Sequence, residues 1–182
     1  LSVIDRDGNI VSWIQSISDL WGSGVVVDKF GFHLHDRANG FRFEPGHANS
    51  AGPRKRPFHT IIPGFMEKDH LHIGFGIMRG INQPLAHAQF VSHVADHGMN
   101  VQAALEAPRF TRRSYTGCDV MIESRVPADV REALEQKGHI VDTRGEYSGL
   151  MGGGQAVLYN SKSKVKFAGS SPRKDGAAIP EP

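Results

Sequence analysis

Residues 59–97 read HTIIPGFMEKDHLHIGFGIMRGINQPLAHAQFVSHVADH, and a change of period inside this stretch decides the fold class. Up to Met78 the apolar residues run almost continuously on both sides of EKDH (67–70), the pattern of two paired strands buried on both faces with a tight turn between them. From Pro84 to His97 the period becomes helical: Leu85, Ala88, Val91, Val94 and Ala95 share one stripe, and Pro84 suits a first-turn position. A hairpin that runs straight into an amphipathic helix points to a sheet with helices laid on it. Strands buried on both faces also need cover on the second side, which predicts a chain that depends on helices from a partner.

Working outward toward the N-terminus, Val3, Ile4, Val11, Trp13, Ile14 and Ile17 flank RDGN (6–9), whose Asp-Gly pair is a hairpin turn signal. Paired strands are predicted over 1–5 and 10–17. The stretch from Leu20 to Pro57 holds glycines at turn positions around a short apolar strand, then Pro, Gly and Asn as far as GPRKRP (52–57). A long irregular segment of this kind is commonly functional or packs against a partner.

Toward the C-terminus, MNVQAALEAPRF (99–110) reads as a short helix stopped near Pro108. PADVREALEQKGH (127–139) reads as a helix that starts at Pro127 and stops at Gly138. Strands are predicted near 119–123, 139–142, 155–160 and 165–169. The order of elements favours layered α+β packing of helices on antiparallel sheets.

The 182 residues suffice for one sizeable core and fit a single domain at roughly 100–200 residues per domain. No apolar run is long enough for a spanning helix, so no membrane partner is expected. The net charge of +2 hides two basic clusters, GPRKRP and SKSKVK (161–166), too little to argue for nucleic acid. A single cysteine, Cys118, excludes an intrachain disulfide and a cysteine zinc site. It stands at a strand entrance with no neighbouring His to activate it, and reads as a passive thiol. The ten histidines show no metal spacing: His33 and His35 alternate on a strand and the rest are scattered. Neither a metal nor a cofactor is expected.

Several strings, in order, make the sequence specific: SVIDRDGNIVS, WGSGVVV, LHDR, GPRKRP, GFGIMRGINQP, HGMNVQAALEAPRF, LEQKGH and SSPRKDGAA. Together they resemble the small subunit of the γ-glutamyltranspeptidase family of N-terminal-nucleophile hydrolases. GIMRGINQP and QAALEAPRF are similar to a γ-glutamyltransferase-like or cephalosporin-acylase-like branch. The resemblance implies the small-subunit half of a four-layer αββα sandwich, residues 1–182 being completed by a large subunit cut from the same precursor. It implies an amidase or acyltransferase that acts on a γ-glutamyl or related acyl amide through an acyl-Thr intermediate. The acyl group then passes to water or an amine. A dimer of heterodimers is compatible with it, and the compartment stays open because an export signal would belong to the precursor. A catalytically silent scaffold or binding subunit is the alternative.

In the family's pattern the nucleophilic Thr lies just before the position matched by Leu1, so no residue of this chain takes the attacking role. An N-terminal Thr carries its own base, because an α-amino group titrates near roughly pH 7.7–8.0 and is substantially neutral at physiological pH. The resemblance places Ser16 at a second hydroxyl position that tunes the nucleophile, and Ser18 where an Asn contacts the substrate's α-carboxylate. Arg37 falls in the wall of the same pocket, where a guanidinium can hold a carboxylate with two parallel bonds. His59 and Thr60 replace a pair of carboxylate-binding serines. Arg79 and Gly80 match the Gly-Gly turn whose backbone N–H groups form the oxyanion hole.

Two departures stand out. Where the family usually has an acid that grips the substrate's α-amino group, this chain has Gly40. Losing that charge-assisted bond, worth roughly 1.5–3 kcal/mol, weakens selection for a γ-glutamyl group by one to two orders of magnitude. The second departure is Arg79. If its turn requires a positive φ, a side chain there costs about 1 kcal/mol.

Overall fold

The computed structural model describes residues 1–113 and 116–180, and its chain divides into two units, Leu1–Ile14 with Ile62–Pro182, and Gln15–Ile61. In the first unit, RDGN closes the hairpin of β1 (Ser2–Ile4) and β2 (Ile10–Ser12). The Asp5 carboxylate accepts from the N–H groups of Asp7 and Asn9, and Gly8 takes φ +93°. A Cβ at Gly8 would also come within 2.5 Å of the Tyr159 ring, so this position needs glycine twice over. β2 is shorter than expected: Trp13 N–H still donates to Leu1 O at 2.8 Å, but no rung follows it toward Ile17.

The expected central hairpin is present as β3 (Gly64–Lys68) and β4 (Leu71–Ile77). His59 and Thr60 lie outside it, contrary to the expected strand start. Pro63 has no N–H to give a ladder, and Ile62 N–H is spent on Gln83 Oε1 at 2.9 Å. With β8 (Gly154–Asn160) and β9 (Lys166–Ser170) these strands form an antiparallel sheet in the order β3-β4-β8-β9.

β4 meets the expectation of burial on both faces, whereas β3, at the sheet edge, is mostly exposed. Residues of this chain pack on both faces of β4. On one face Ile73, Phe75 and Ile77 pack with Ala86 and Phe90 of α1 (Asn82–Ala95) and with Val101, Ala104 and Leu105 of α2 (Val101–Glu106). The Phe75 and Phe90 rings stand 4.9 Å apart. On the other face Gly74 leaves room for Ile10, whose Cγ2 would lie 2.5 Å from a Cβ there, and Ser12 Oγ donates to Phe75 O at 2.7 Å.

A second sheet pairs β5 (Phe110–Thr111), β6 (Asp119–Glu123) and β7 (Ile140–Arg144). β6 and β7 are parallel, correcting the expectation of antiparallel sheets alone. The helix α3 (Ala128–Gln136), begun at Pro127 and ended before Gly138 as predicted, is the crossover that a parallel pair requires. Between this sheet and α2 sits a buried charge junction. The fully buried Glu123 accepts from Arg173 Nε and Nη2 at 2.6 Å each, from Arg125 Nη2 at 3.2 Å and from the N–H groups of Arg109 and Ser148 at 3.0 Å each. Arg109 in turn donates to the carbonyls of Leu105, Met151 and Gly152. Burial, with Arg173 beside it, pulls the Arg109 guanidinium down to about 9.

The second unit, Gln15–Ile61, is irregular as the sequence predicts. Its expected short strand is reduced to a single bridge between Val26 and His33, and a 3₁₀ turn spans Arg37–Gly40. Among the described residues no helix is long and apolar enough to cross a membrane.

Candidate active site

β4 ends at Ile77 and α1 begins at Asn82, so Met78–Ile81 must turn the chain from strand into helix. They do so with two consecutive positive φ values, +107° at Arg79 and +51° at Gly80. The conditional expectation for Arg79 is therefore met, and its side chain sits on backbone that favours glycine, at a cost of about 1 kcal/mol. The carbonyls of Arg79 and Gly80 accept from Asn82 and Gln83 N–H at 3.0 and 3.1 Å, opening the helix. Among the described residues the N–H groups of Arg79 and Gly80 donate to nothing. Successive free N–H groups on such a turn form a concavity suited to negative charge.

The turn is held from behind by MGGG (151–154). Met78 N–H donates to Gly153 O at 3.1 Å. Gly152 takes φ +75°, and a Cβ there would overlap Met78 O.

The remaining site residues expected from the sequence lie in the Gln15–Ile61 unit, in two groups. Ser18, at φ +81°, donates its N–H to Ser16 Oγ at 2.9 Å. Ser16 Oγ thus has one acceptor site filled and keeps its proton to give. Nearby, Asp36 accepts from Asp19 N–H at 3.2 Å, and this bond, with help from the Ser18 hydroxyl, holds its carboxyl below the usual range.

In the second group Arg37 Nη1 donates to Thr60 Oγ1 at 3.0 Å, and Arg37 N–H to His35 Nδ1 at 3.2 Å. Arg37 Nε is buried and has no partner among the described residues, so the fork is half occupied. Lost hydration, with Arg37 and Arg56 nearby, holds His59 below the ordinary histidine value of 6.5. His59 is therefore neutral at pH 7 and adds no charge to Arg37 and Thr60.

Gly40 closes the same arrangement. A Cβ there would stand 2.8 Å from Phe58 O, so the 3₁₀ turn and the 57–60 segment approach too closely for any side chain. Asn49 fixes that approach: its Nδ2 donates to Gly40 O, and its Oδ1 accepts from Phe58 N–H at 3.0 Å. Asn49 and Asp36 are the positioning residues that sequence reasoning missed. The available signal was an Asn and an Asp inside an irregular segment, where such side chains bond to nearby backbone. Among the described residues no group of three or more His, Cys, Asp or Glu side chains could hold a metal ion.

The family model described as gamma-glutamyltranspeptidase matches residues 1–181. The glutathione hydrolase-like YwrD proenzyme of Bacillus subtilis is 34% identical, over 98% of this chain and 34% of its own length. The chain therefore spans about a third of that relative. Among solved structures, a cephalosporin acylase from Bacillus halodurans superposes with a TM-score of 0.90 at 40% identity, over 97% of this chain and 32% of that one. A gamma-glutamyltranspeptidase from Pseudomonas nitroreducens, complexed with L-DON, superposes with a TM-score of 0.85 at 26% identity, over 100% of this chain and 98% of that one. The fold is the α+β N-terminal-nucleophile hydrolase fold that the sequence resemblance implies. A match over nearly every residue, with a cephalosporin acylase among the similar structures, makes this chain a member of the γ-glutamyltranspeptidase family.

Proposed function

We propose that this chain is the small subunit of a self-processed amidase or acyltransferase that cleaves a γ-glutamyl or related acyl amide. The observation that carries the reading is the Arg79–Gly80 turn, two free N–H groups on positive-φ backbone backed by Gly152. Donors fixed before the reaction stabilise a developing oxyanion by several kcal/mol because they need no reorganisation. The family resemblance puts the attacking hydroxyl on a Thr just before the position matched by Leu1. Attack at the amide carbonyl forms a C–O bond, and the carbonyl oxygen becomes the oxyanion facing the two N–H groups. Collapse breaks the C–N bond, the amine leaves with the nucleophile's proton, and water or an acceptor amine then releases the acyl group from the ester.

For the acyl group, the half-occupied fork of Arg37 beside Thr60 suits a carboxylate, and neutral His59 does not compete with it. Gly40 supplies no acid for an α-amino group, and its contact with Phe58 leaves no room for one. A glutaryl amide is therefore the better substrate and a γ-glutamyl amide the poorer one. A large subunit is the proposed partner, supported by the proenzyme name of a relative matched over a third of its length and by a solved family chain matched almost end to end.

The test uses protein expressed from the complete gene. Mass spectrometry should show two chains with a new N-terminal Thr. kcat/KM for a glutaryl anilide should exceed that for the γ-glutamyl anilide by about tenfold or more. An uncut product that turns over neither anilide defeats the proposal.

A further inference from the structure

In the register of β3 and β4, Gly64 faces Phe75 and Lys68 faces Leu71. Continued two residues further, the same register would set Ile62 opposite Ile77, but the ladder stops at Gly64. Met78 N–H points to Gly153 O, so strand alternation turns Ile77 N–H the other way, toward the missing rung. Both orphaned donors are taken up by α1. Ile62 N–H goes to Gln83 Oε1 at 2.9 Å and Ile77 N–H to His87 Nε2 at 3.0 Å. Gln83 and His87 are four residues apart, hence on one face of the helix, and both are buried. Two side chains thus replace the backbone of a strand, and neither N–H is left unpaired.

These bonds straddle the Arg79–Gly80 turn. Ile77 is the last residue of β4 and His87 lies in the second turn of α1, so the bond between them closes a loop around Met78–Ile81. Gln83 reinforces it, because its N–H donates to Gly80 O at 3.1 Å while its side chain holds Ile62. The angle between strand and helix, and with it the direction of the Arg79 and Gly80 N–H groups, is fixed from both ends. Backbone donors have no rotamer with which to correct their aim, and a shift of about 1 Å can cost about a hundredfold in rate.

An imidazole that accepts a backbone N–H on Nε2 carries its own proton on Nδ1, so this bond exists only in the neutral ring. Protonation would put a second donor against Ile77 N–H. Burial, with the Arg109 guanidinium nearby, holds His87 below its ordinary value of 6.5 and keeps it neutral at pH 7. Among the described residues of the elements packed on α1, Arg109 is the charge that bears on this ring. His72 of β4 is on the opposite face against Tyr159, Glu106 of α2 is bonded to Gln102, and His93 lies more than a turn farther along α1. The Phe75 and His87 rings meet edge to face at 5.1 Å.

We propose that Gln83 and His87 are positioning residues for the Arg79–Gly80 turn, and that the bond from Ile77 to His87 makes the aim of its N–H groups depend on pH. The hold on the turn stands on this geometry alone. Its effect on turnover rests on the amidase reading. In that reading the oxyanion exists only in the transition state, so a badly aimed turn lowers kcat and leaves KM alone. The pH signature is separable from that of the base. An α-amino base titrating near roughly pH 7.7–8.0 gives one acid limb, and protonation of His87 adds a second at lower pH.

The test uses protein expressed from the complete gene. Hydrogen exchange, read by mass spectrometry on peptides spanning 71–81, should quicken about tenfold or more in His87→Leu. It should return toward the wild-type rate in His87→Gln, whose amide oxygen can accept the same N–H. With the glutaryl anilide at pH 8, His87→Leu should lose about tenfold in kcat with KM held within about twofold, and His87→Gln should recover most of that loss. Gln83→Met, similar in volume but without the acceptor, should lose a smaller factor. Below about pH 6.5, log kcat of the wild type should fall more steeply than the slope of about one that a single base gives, and His87→Gln should keep that single slope. If His87→Leu does not fold, the acid limb of His87→Gln decides. Unchanged exchange over 71–81 in His87→Leu, a change in KM alone, or the same acid limb in wild type and His87→Gln overturns the inference. If the wild type turns over neither anilide, the amidase reading fails, and the exchange measurement still decides whether His87 holds the turn.

Discussion

The two units of this chain are stabilised in different ways. Leu1–Ile14 with Ile62–Pro182 contains every described residue that is fully buried, whereas Gln15–Ile61 contains none. In the first, β4 is sandwiched between α1 and α2 on one side and the β1–β2 hairpin on the other. In the second, Trp21, Phe30 and Phe43 are 65%, 77% and 89% exposed, and the backbone is fixed by Asn49, Asp36 and glycine turns. The free N–H groups of Arg79 and Gly80 stand on the unit with a core, and Ser16, Ser18, Arg37, His59 and Thr60 on the unit without one. The contrast teaches that fixed backbone dipoles come from the unit with a core, while the other unit holds its conformation through local hydrogen bonds.

The contrast can be broken most directly at Glu123. Glu123→Ala leaves buried arginines unpaired and should cost about 3–5 kcal/mol in denaturant melts, and a loss near zero would show that the junction contributes nothing to the core unit. Phe90→Ala should cost about 3–5 kcal/mol, while Phe43→Ala should stay within about 0.5 kcal/mol. If the Phe43 change proves as costly in the protein from the complete gene, that ring is covered there, which sharpens the comparison. Within the irregular unit, Gly40→Ala should lose about 1–3 kcal/mol through its contact with Phe58 O, measured in the same melts.

Smaller effects test the turn and the core helix. Arg79→Gly should raise stability by about 1 kcal/mol in those melts, because the strain of φ +107° is relieved, and a fall would mean that the guanidinium is bound to protein after all. His87 is buried and accepts Ile77 N–H on Nε2 at 3.0 Å, and burial, with Arg109 nearby, holds it below its ordinary value of 6.5. The unfolded chain therefore takes up this proton first. Stability should be flat above about pH 6.5 and decline as pH falls below it, and His87→Gln should make that decline shallower in thermal melts.

Much of the fold was legible because period and punctuation agreed. The switch inside residues 59–97 located β3, β4 and α1, Asp7-Gly8 marked the first hairpin, and Pro127 and Gly138 bracketed α3. The parallel pairing of β6 and β7 was not legible, because five-residue strands carry no signal of direction and only the intervening helix hints at a crossover. The end of β2 was misread since Ile14 and Ile17 keep the alternation after the ladder stops. Of the candidate site, the residues matching the family pattern could be named from the sequence, and the question of a positive φ at Arg79 could be posed from it. What brings Gly40 to Phe58 is contact between distant segments, which no local pattern encodes.

Gly152, behind the Arg79–Gly80 turn, constrains how such a protein can change. In the proposed amidase, the N–H edge of residues 79 and 80 serves whatever side chain is attached, so position 79 can carry chemistry as different as a bare hydrogen or a guanidinium. Residue 152 lies behind that turn, and one added methyl there would collide with Met78 O and push the loop. Change is thus open at position 79, on the visible side of the turn, and closed at position 152, on its hidden side.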